Sequence, residues 1–405
     1  MSGSRRVGLP AFAQWYAAAP PDVGRFVVQA SNISRADVAA VGAFKGVGPF
    51  GTYDMAGNVR EWSLNALDQD RRFILGGAAR SQTYQYDDPE ALSPFDRSPD
   101  NGIRCVQNVS PLPPVVSAPV KPLERDFTKV KPTSDEAFAA YRSMLAYGRE
   151  PLNAKSEGIV QETRDWREEK VSFDAAYGGE RLAAYLFLPK GVKPPYQTVV
   201  FFPSARVLGL TNSRTLGDTA FFSYVVQSGR AVMYPVYQDT YERRLKGEHP
   251  GTRDVAVYVD RARDVGRSID YLLARPDIAG NEIAYLGVSM GSAEGVIYTT
   301  LAQDRLRTAV FLDGGYFLFN PPVGADQAMY APRLKLPVLM VNGRYDFSFS
   351  LEKSQNPLFR MLGTADSLKR HVVLDTPHDV LAMRGPLVHE VLAWLDKYLG
   401  PVQGH

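Results

Sequence analysis

A serine lies between two glycines in the stretch GVSMG, where Gly287, Ser289 and Gly291 form a Gly-x-Ser-x-Gly pattern. A serine hydroxyl is a poor nucleophile at neutral pH, and it attacks a carbonyl carbon only when a neighbouring base takes its proton. The pattern alone is weak evidence, because residues this common also produce it by chance. Its meaning therefore depends on whether a suitable base and acid follow it along the chain.

The search for a base is short because the chain has only five histidines. In parallel α/β sheets with a nucleophile turn of this type, the partners follow in the order serine, acid, histidine. His378, in LDTPHDV, lies just after the last predicted strand, where loops gather at the carboxyl end of such a sheet. The remaining histidines have the wrong order or lie in the wrong kind of element: His249, His371, His389 and His405.

The acid that orients the histidine has several candidates. Asp346, in VNGRYDFSF, follows the penultimate predicted strand and ranks first, because a separate loop lets it reach the far imidazole nitrogen. Asp375 ranks second, since it is close to His378 in sequence. Asp379 and Asp313, the latter at the end of a predicted strand, are further candidates. The pattern thus favours a triad of serine, histidine and aspartate.

An acyl-transfer site also needs two N–H groups that stabilise the negatively charged oxygen of the intermediate. The first expected donor is the amide of Met290, directly after the nucleophile. The second is expected in FFPSAR, after the first parallel strand: Ala205 is preferred and Ser204 is the near alternative. Pro203 is excluded because proline has no amide hydrogen.

Six short apolar runs predict strands that are buried on both faces of a parallel sheet. The run at 283–287 leads directly into the serine turn, and a helix is expected to begin near Ser292. An amphipathic helix is predicted at 255–275, and a hairpin around Tyr177 precedes the parallel strands. The predicted parallel strands are 198–203, 231–237, 283–287, 308–314, 337–343 and 371–376. This order predicts an α/β fold with a doubly wound, mostly parallel sheet.

The chain changes character near residue 110. Residues 1–108 are rich in glycine, asparagine, aspartate and aromatics, which is typical of a smaller, irregular α+β module. Residues 109–133 carry several prolines and are predicted to be an extended linker. Residues 134–405 hold the α/β domain, which begins with a helix capped by Ser134.

The bulk composition excludes several classes of protein. The formal charge of the 405-residue chain is +2, from 46 basic and 44 acidic residues, so we expect neither nucleic acid nor membrane as a partner. Cys105 is the only cysteine, which excludes an internal disulfide and a thiolate metal cluster. The first residues lack the apolar block of a secretory signal, so a cytoplasmic location is expected. The sequence does not determine the oligomeric state.

Residues 130 to 400 resemble the α/β-hydrolase superfamily, and within it the dienelactone-hydrolase and acetyl-esterase branch. The segments that carry this resemblance are GVSMGS, NGRYDF, TPHDV and the terminal WLDKYLG. It implies a serine carboxylesterase that hydrolyses small, short-acyl esters through an acyl-serine intermediate, with no cofactor required for catalysis. The PSAR segment departs from the glycine-rich turn of many relatives. Two alternatives remain: a serine peptidase of the prolyl-oligopeptidase type, and a non-catalytic binding or scaffold protein.

The N-terminal module resembles a different family. VGPFGTYDMAGNVREWSLN, LGGAARS and NGIRCV are similar to the C-terminal part of the formylglycine-generating, sulfatase-modifying fold, over about residues 25–108. Catalysis in that family uses two cysteines after the Gly-Gly turn. Here Gly76-Gly77 is followed by AARSQTYQYDD, which has no cysteine, so the resemblance implies a truncated, non-catalytic module.

The same resemblance implies a possible structural calcium loop in this module. Its matching positions are Asp54, Gly57, Val59 and Glu61, which would supply two carboxylates and two backbone carbonyls. Oxygen ligands of this kind suit a hard cation. The alternative is a turn-rich structural loop in which Glu61 pairs with an arginine.

Overall fold

The computed structural model describes residues 7–20, 27–81, 83–86, 89–121, 125–148, 150–245 and 255–402. The chain forms two compact units, Met1–Leu123 and Glu124–His405. The boundary between them falls inside the segment 109–133, for which the sequence predicts a linker. In the described ranges, no helix combines the length and the apolar character that crossing a membrane requires.

The first unit is built from short strands and irregular turns. A four-stranded sheet has the order β4-β3-β2-β5, and β1 pairs with β6 in a separate antiparallel ribbon. The strands are β1 (Val7–Gly8), β2 (Arg60–Ala66), β3 (Arg72–Leu75), β4 (Glu90–Leu92), β5 (Asn101–Gly102) and β6 (Val106–Gln107). The helices are α1 (Phe12–Ala18) and α2 (Pro114–Ser117).

Strand β2 buries polar side chains instead of apolar ones. Glu61, Ser63 and Asn65 alternate along it and are all nearly inaccessible to solvent. Asn65 illustrates how such a face is satisfied: its side chain accepts a hydrogen bond from the amide of Phe12 and donates to two carbonyls at residues 116 and 118. Buried polar groups are stable only when they are hydrogen-bonded in this way.

The second unit contains a nine-stranded sheet with the order β15-β14-β13-β12-β10-β11-β9-β8-β7. Its strands are β7 (Lys155–Glu162), β8 (Trp166–Asp174), β9 (Arg181–Pro189), β10 (Tyr196–Phe202), β11 (Ala231–Pro235), β12 (Ile278–Val288), β13 (Thr308–Leu312), β14 (Val338–Gly343) and β15 (Lys369–Leu374). Strands β10 to β15 are mutually parallel, whereas β9, β8 and β7 add antiparallel neighbours at one side. This mostly parallel α/β sheet confirms the predicted fold class.

The helices of the second unit cover this sheet and close its loops. Helix α5 packs on β10, β11 and β12, helix α6 on β10, β12 and β13, and helix α9 on β12, β13 and β14. The helices are α3 (Asp135–Leu145), α4 (Ser223–Gln227), α5 (Val255–Leu273), α6 (Met290–Ala302), α7 (Gln327–Tyr330), α8 (Asn356–Met361) and α9 (Arg384–Leu399). Helix α3 begins as predicted, because the Ser134 hydroxyl accepts a hydrogen bond from the amide of Ala137.

Two features of the sheet differ from the sequence prediction. The sequence analysis did not predict strand β7. All eight of its residues are exposed, so it has no alternating hydrophobic pattern from which a strand could be predicted. Strand β12 begins at Ile278, five residues before the predicted start, and runs through the polar stretch Gly280–Glu282. Strand β7 is held by its pairing with β8, whereas the early part of β12 pairs only at Ile278 with Tyr196 before the register shifts ahead of Ile283.

Candidate active site

The Gly-x-Ser-x-Gly stretch forms a sharp turn from β12 into α6. Ser289 has φ 52° and ψ −107°, a conformation that costs a non-glycine residue about 1–3 kcal/mol and that the surrounding structure must enforce. A Cβ atom on Gly287 would lie 2.1 Å from the carbonyl oxygen of Gly291, and one on Gly291 would lie 2.3 Å from that of Phe202. Close backbone approach therefore requires glycine at both positions, as the strand–turn–helix prediction expects.

Three loops bring the predicted serine, histidine and aspartate together. The Oγ atom of Ser289 lies 2.9 Å from Nε2 of His378, and Nδ1 of His378 lies 2.8 Å from Oδ2 of Asp346. The other carboxylate oxygen of Asp346 accepts a hydrogen bond of 2.9 Å from the amide of Phe349. The result is one hydrogen-bonded line from hydroxyl to carboxylate.

Solvent exposure differs between the residues of this hydrogen-bonded line. Asp346 is fully inaccessible, while the His378 side chain keeps 13% of its surface exposed. With a proton on Nδ1 directed at the carboxylate, the free lone pair of Nε2 faces the hydroxyl of Ser289. This arrangement can take the hydroxyl proton and then stabilise the resulting imidazolium, because a buried carboxylate is screened little by water.

The other candidate acids differ in their burial and in their distance from His378. Asp375, ranked second from the sequence, lies on the surface and pairs with Arg344 at 2.6 Å. Asp379 is also exposed. Asp313 is buried, and its carboxylate oxygens lie within 4.8 Å of ligand atoms of Asp346 and His378. Sequence reasoning placed Asp313 among the candidates but found no signal for this closeness.

The start of α6 supplies the first expected oxyanion donor. Met290 is the first residue of α6, and the first amides of a helix have no acceptor within it. The next amide, of Gly291, donates to the carbonyl of Pro203 at 3.2 Å. This contact holds the segment after β10 beside the helix start, where the second expected donor must come from.

The sequence left the second oxyanion donor open between the amides of Ala205 and Ser204. The amide of Ser204 donates to Oδ2 of Asp218 at 2.7 Å, so it is already engaged. The Ser204 hydroxyl accepts from the amide of Arg206, while no hydrogen bond within the described residues uses the amide of Ala205. The arrangement favours Ala205, as the sequence prediction preferred.

Asp218 is a residue of this site that sequence reasoning missed. It is separated from Ser204 by a long loop, and no motif marks it. Burial raises the pKa of its carboxyl group, and the hydrogen bond from Ser204 opposes that effect. Its φ of 61° shows that the backbone is held in an uncommon conformation at this point. Asp218 therefore holds the segment after β10 at Ser204, next to Ala205.

The side chain of Glu61, one of the four positions of the possible calcium loop, is fully engaged by protein donors. Oε1 accepts from Nη2 of Arg104 at 2.7 Å, and Oε2 accepts from Nε of Arg104 and from the indole of Trp15, both at 2.8 Å. These bonds use three of the carboxylate's roughly four lone-pair positions, and both oxygens are already partnered by protein donors. Glu61 as arranged here does not fit a cation ligand, and it takes the role of the alternative, a glutamate paired with an arginine.

The other three positions of the possible calcium loop are backbone-rich. Asp54 accepts a hydrogen bond of 2.7 Å from the amide of Gly42 through Oδ2. Gly57 has a φ of 73°, and a Cβ atom there would lie 2.2 Å from the carbonyl oxygen of Asn32. Val59 lies between this turn and β2. Calcium binding by the module stays a prediction of the resemblance, and the donors around Glu61 count against it.

Replacement of Arg104 tests this assignment. Arg104→Ala leaves the Glu61 carboxylate buried with Trp15 as its remaining donor, so the free energy of unfolding of the first unit should fall by about 2 kcal/mol. Thermal melting followed by circular dichroism measures this, with the exposed Arg97→Ala as the matched control. A clear rise in the wild-type Tm on adding calcium would contradict the assignment, because it would show that Glu61 can leave Arg104 for an ion.

Comparisons with known proteins agree with both halves of the sequence interpretation. Residues 11–109 match the family model described as the sulfatase-modifying factor enzyme 1-like domain, so the likeness begins earlier than the sequence motifs indicated. Acetyl xylan esterase from Paenibacillus sp. R4 superposes with a TM-score of 0.52 at 18% identity, over 67% of this chain and 96% of that one. A comparison with curated protein sequences found no match.

A second solved structure gives the same result. Acetyl xylan esterase 1 from Thermoanaerobacterium sp. JW/SL YS485 has a TM-score of 0.51 at 16% identity, over 66% of this chain and 96% of that one. At such identities the likeness establishes the fold, and it confirms the α/β-hydrolase fold expected from the sequence.

Proposed function

We propose that this protein is a serine carboxylesterase that hydrolyses small, short-acyl esters through an acyl-serine intermediate. The observation that carries the proposal is the unbroken line of hydrogen bonds from Ser289 through His378 to Asp346. A fold alone does not define an activity, so the argument rests on this geometry and on the strained turn that presents the serine.

The first half of the reaction forms the acyl-enzyme. The Oγ atom of Ser289 attacks the ester carbonyl carbon while its proton passes to Nε2 of His378, and the carbonyl π electrons move to the oxygen. The amides of Met290 and Ala205 are proposed to bind that oxyanion. When the tetrahedral intermediate collapses, the C–O bond to the alcohol breaks and Nε2 returns the proton to the departing oxygen.

The second half releases the acid. Water attacks the acyl carbon, His378 accepts one proton from it, and the bond to Oγ breaks as the proton is passed to Ser289. Asp346 stays ionised throughout and stabilises the imidazolium at both stages. Each proton and each electron pair is accounted for by side chains and backbone amides of this chain, so we propose that catalysis requires no cofactor.

The preference for small acyl groups is supported by the site itself. Ser289 is only 7% exposed, so little of its surface is open to a bulky acyl chain in this conformation. Within 313–337, the connection from β13 to β14, the regular structure consists of the short helix α7 and a three-residue turn at Ala331–Arg333, which is too little for a large lid. The two similar solved structures are named acetyl xylan esterases, which agrees with a small acyl group.

A labelling and turnover experiment separates the proposal from its alternatives. The protein should react with a fluorophosphonate at Ser289, located by peptide mass spectrometry, and it should hydrolyse an aryl acetate much faster than an aryl octanoate. A proline-peptide anilide should be a poor substrate. Absence of the label would favour a scaffold protein, and faster cleavage of the anilide would favour a peptidase of the prolyl-oligopeptidase type.

A further inference from the structure

A second buried carboxyl group lies beside the hydrogen-bonded line. Asp313 directly follows β13, is 2% exposed and has a φ of 49°, a left-handed conformation that is uncommon for aspartate. Its amide donates to the carbonyl of Val341 on the neighbouring strand at 3.0 Å. Asp313 therefore lies at the carboxyl end of the strand between β12, which leads to Ser289, and β14, which leads to Asp346.

The carboxylate of Asp313 is attached to the histidine loop. Oδ2 accepts a hydrogen bond of 2.9 Å from the amide of Val380, two residues after His378. Oδ1 is buried and has no hydrogen-bond partner among the described residues. Ligand atoms of Asp313, Asp346 and His378 all lie within 4.8 Å of one another.

The charges around Asp313 come from few groups. Burial raises the pKa of its carboxyl group to about 7, the attraction of His378 and the hydrogen bond from Val380 lower it, and repulsion by Asp346 and Asp379 raises it again. Burial and the attraction of His378 therefore act in opposite directions on the ionisation of this carboxyl group. A charge this close and this buried acts on the imidazole with little screening.

We propose that Asp313 is a positioning residue of this site: it anchors the His378 loop through Val380 and places a second carboxylate beside the imidazole, in addition to that of Asp346. The inference rests on the proposed serine-esterase function. It gives the histidine two acids in different positions, one hydrogen-bonded to Nδ1 and one acting through space and through the loop.

The proposal predicts a shift in pH dependence that loss of packing alone would not cause. A nearby negative charge favours the protonated imidazole, which cannot act as a base. Asp313→Asn removes that charge, so the acid limb of kcat/KM should move to lower pH, by less than about one unit because a carboxyl group with a pKa of about 7 is only partly ionised there. Since the imidazolium formed during acyl transfer also loses a stabilising charge, kcat at the plateau should fall about tenfold.

The kinetic experiment compares four proteins on an aryl acetate: wild type, Asp313→Asn, Asp346→Asn and the double variant. If both acids serve one imidazole, Asp313→Asn should reduce kcat by a smaller factor in the Asp346→Asn background than in the wild type, because the imidazole no longer acts as a base there. Asp375→Asn, an exposed aspartate on the same loop as His378, is the control and should leave the profile unchanged. An unshifted acid limb together with equal factors in both backgrounds would overturn the proposal.

A measurement on the wild-type protein covers the case in which Asp313→Asn does not fold. The chain has five histidines, so the ¹³Cε1 signal of His378 can be assigned by its absence in a His378→Gln variant. Its chemical shift should titrate in two steps, one for the imidazole and one for the adjacent carboxyl group. A single step overturns the proposal. Because this reading needs no turnover, it is independent of whether the esterase function itself holds.

Discussion

Ser289→Ala is expected to lower kcat/KM for an aryl acetate by a factor on the order of 10⁴ or more. The Oγ atom is the group that forms the acyl bond, and alanine leaves His378 with no hydroxyl proton to accept. What remains is substrate binding and the expected oxyanion amides, which accelerate attack by water only modestly. Initial rates over a range of ester concentrations, with titration of active sites by a fluorophosphonate, measure the loss.

The matched control for this substitution is Ser143→Ala, an exposed serine on α3. It should retain the wild-type rate and stability. Ser289→Ala should itself be at least as stable as the wild type, because alanine removes no structural hydrogen bond other than that to His378. Wild-type turnover by a folded Ser289→Ala protein would remove Ser289 from the mechanism and with it the proposed function.

Asp346→Asn is expected to lower kcat by a factor between about 10³ and 10⁴, with a much smaller effect on KM. An amide N–H can donate a hydrogen bond to Nδ1 of His378, which favours the tautomer with its proton on Nε2, where it faces the hydroxyl of Ser289. The imidazole is then held in the tautomer that cannot act as a base. The geometry is nearly unchanged, so the loss reports the charge and tautomer and not the fold.

Two controls make this second result specific. Asp375→Asn changes an exposed aspartate three residues before His378, and it should leave kcat unaltered. In the Ser289→Ala background, Asp346→Asn should cause little further loss, because the two residues act as one unit. A large loss in the Asp375→Asn variant instead would show that the histidine uses the acid that the structure places at the surface.

Much of the second unit could be predicted because its local patterns are strong. Continuous apolar runs identify β10, β13 and β14 to within about two residues, since strands buried on both faces admit almost no polar side chain. Strand β7 was missed because it lies at the edge of the sheet with every residue exposed. Its position depends on a backbone ladder with β8, which no side-chain pattern records.

In the first unit, too, the sequence predicted one feature and left another open. Its motifs were sufficient for the family resemblance, which the match of residues 11–109 to the family model confirms. They did not show which group satisfies Glu61. Whether Glu61 binds a cation or pairs with an arginine depends on Arg104, which is 43 positions away in the sequence. In the structure, Arg104 and Trp15 both donate hydrogen bonds to the Glu61 carboxylate.

By itself, the sequence determined the fold class, the turn that presents Ser289, and the order in which serine, acid and histidine follow one another. These properties are local, since they depend on periodicity, on glycine where backbones touch, and on loops that follow strands. Only the tertiary structure decided that Asp346 reaches the imidazole while Asp375 faces Arg344, that Asp218 engages Ser204, and that Asp313 lies beside His378. Such pairings depend on strand order and burial between distant segments, which no short stretch of sequence contains.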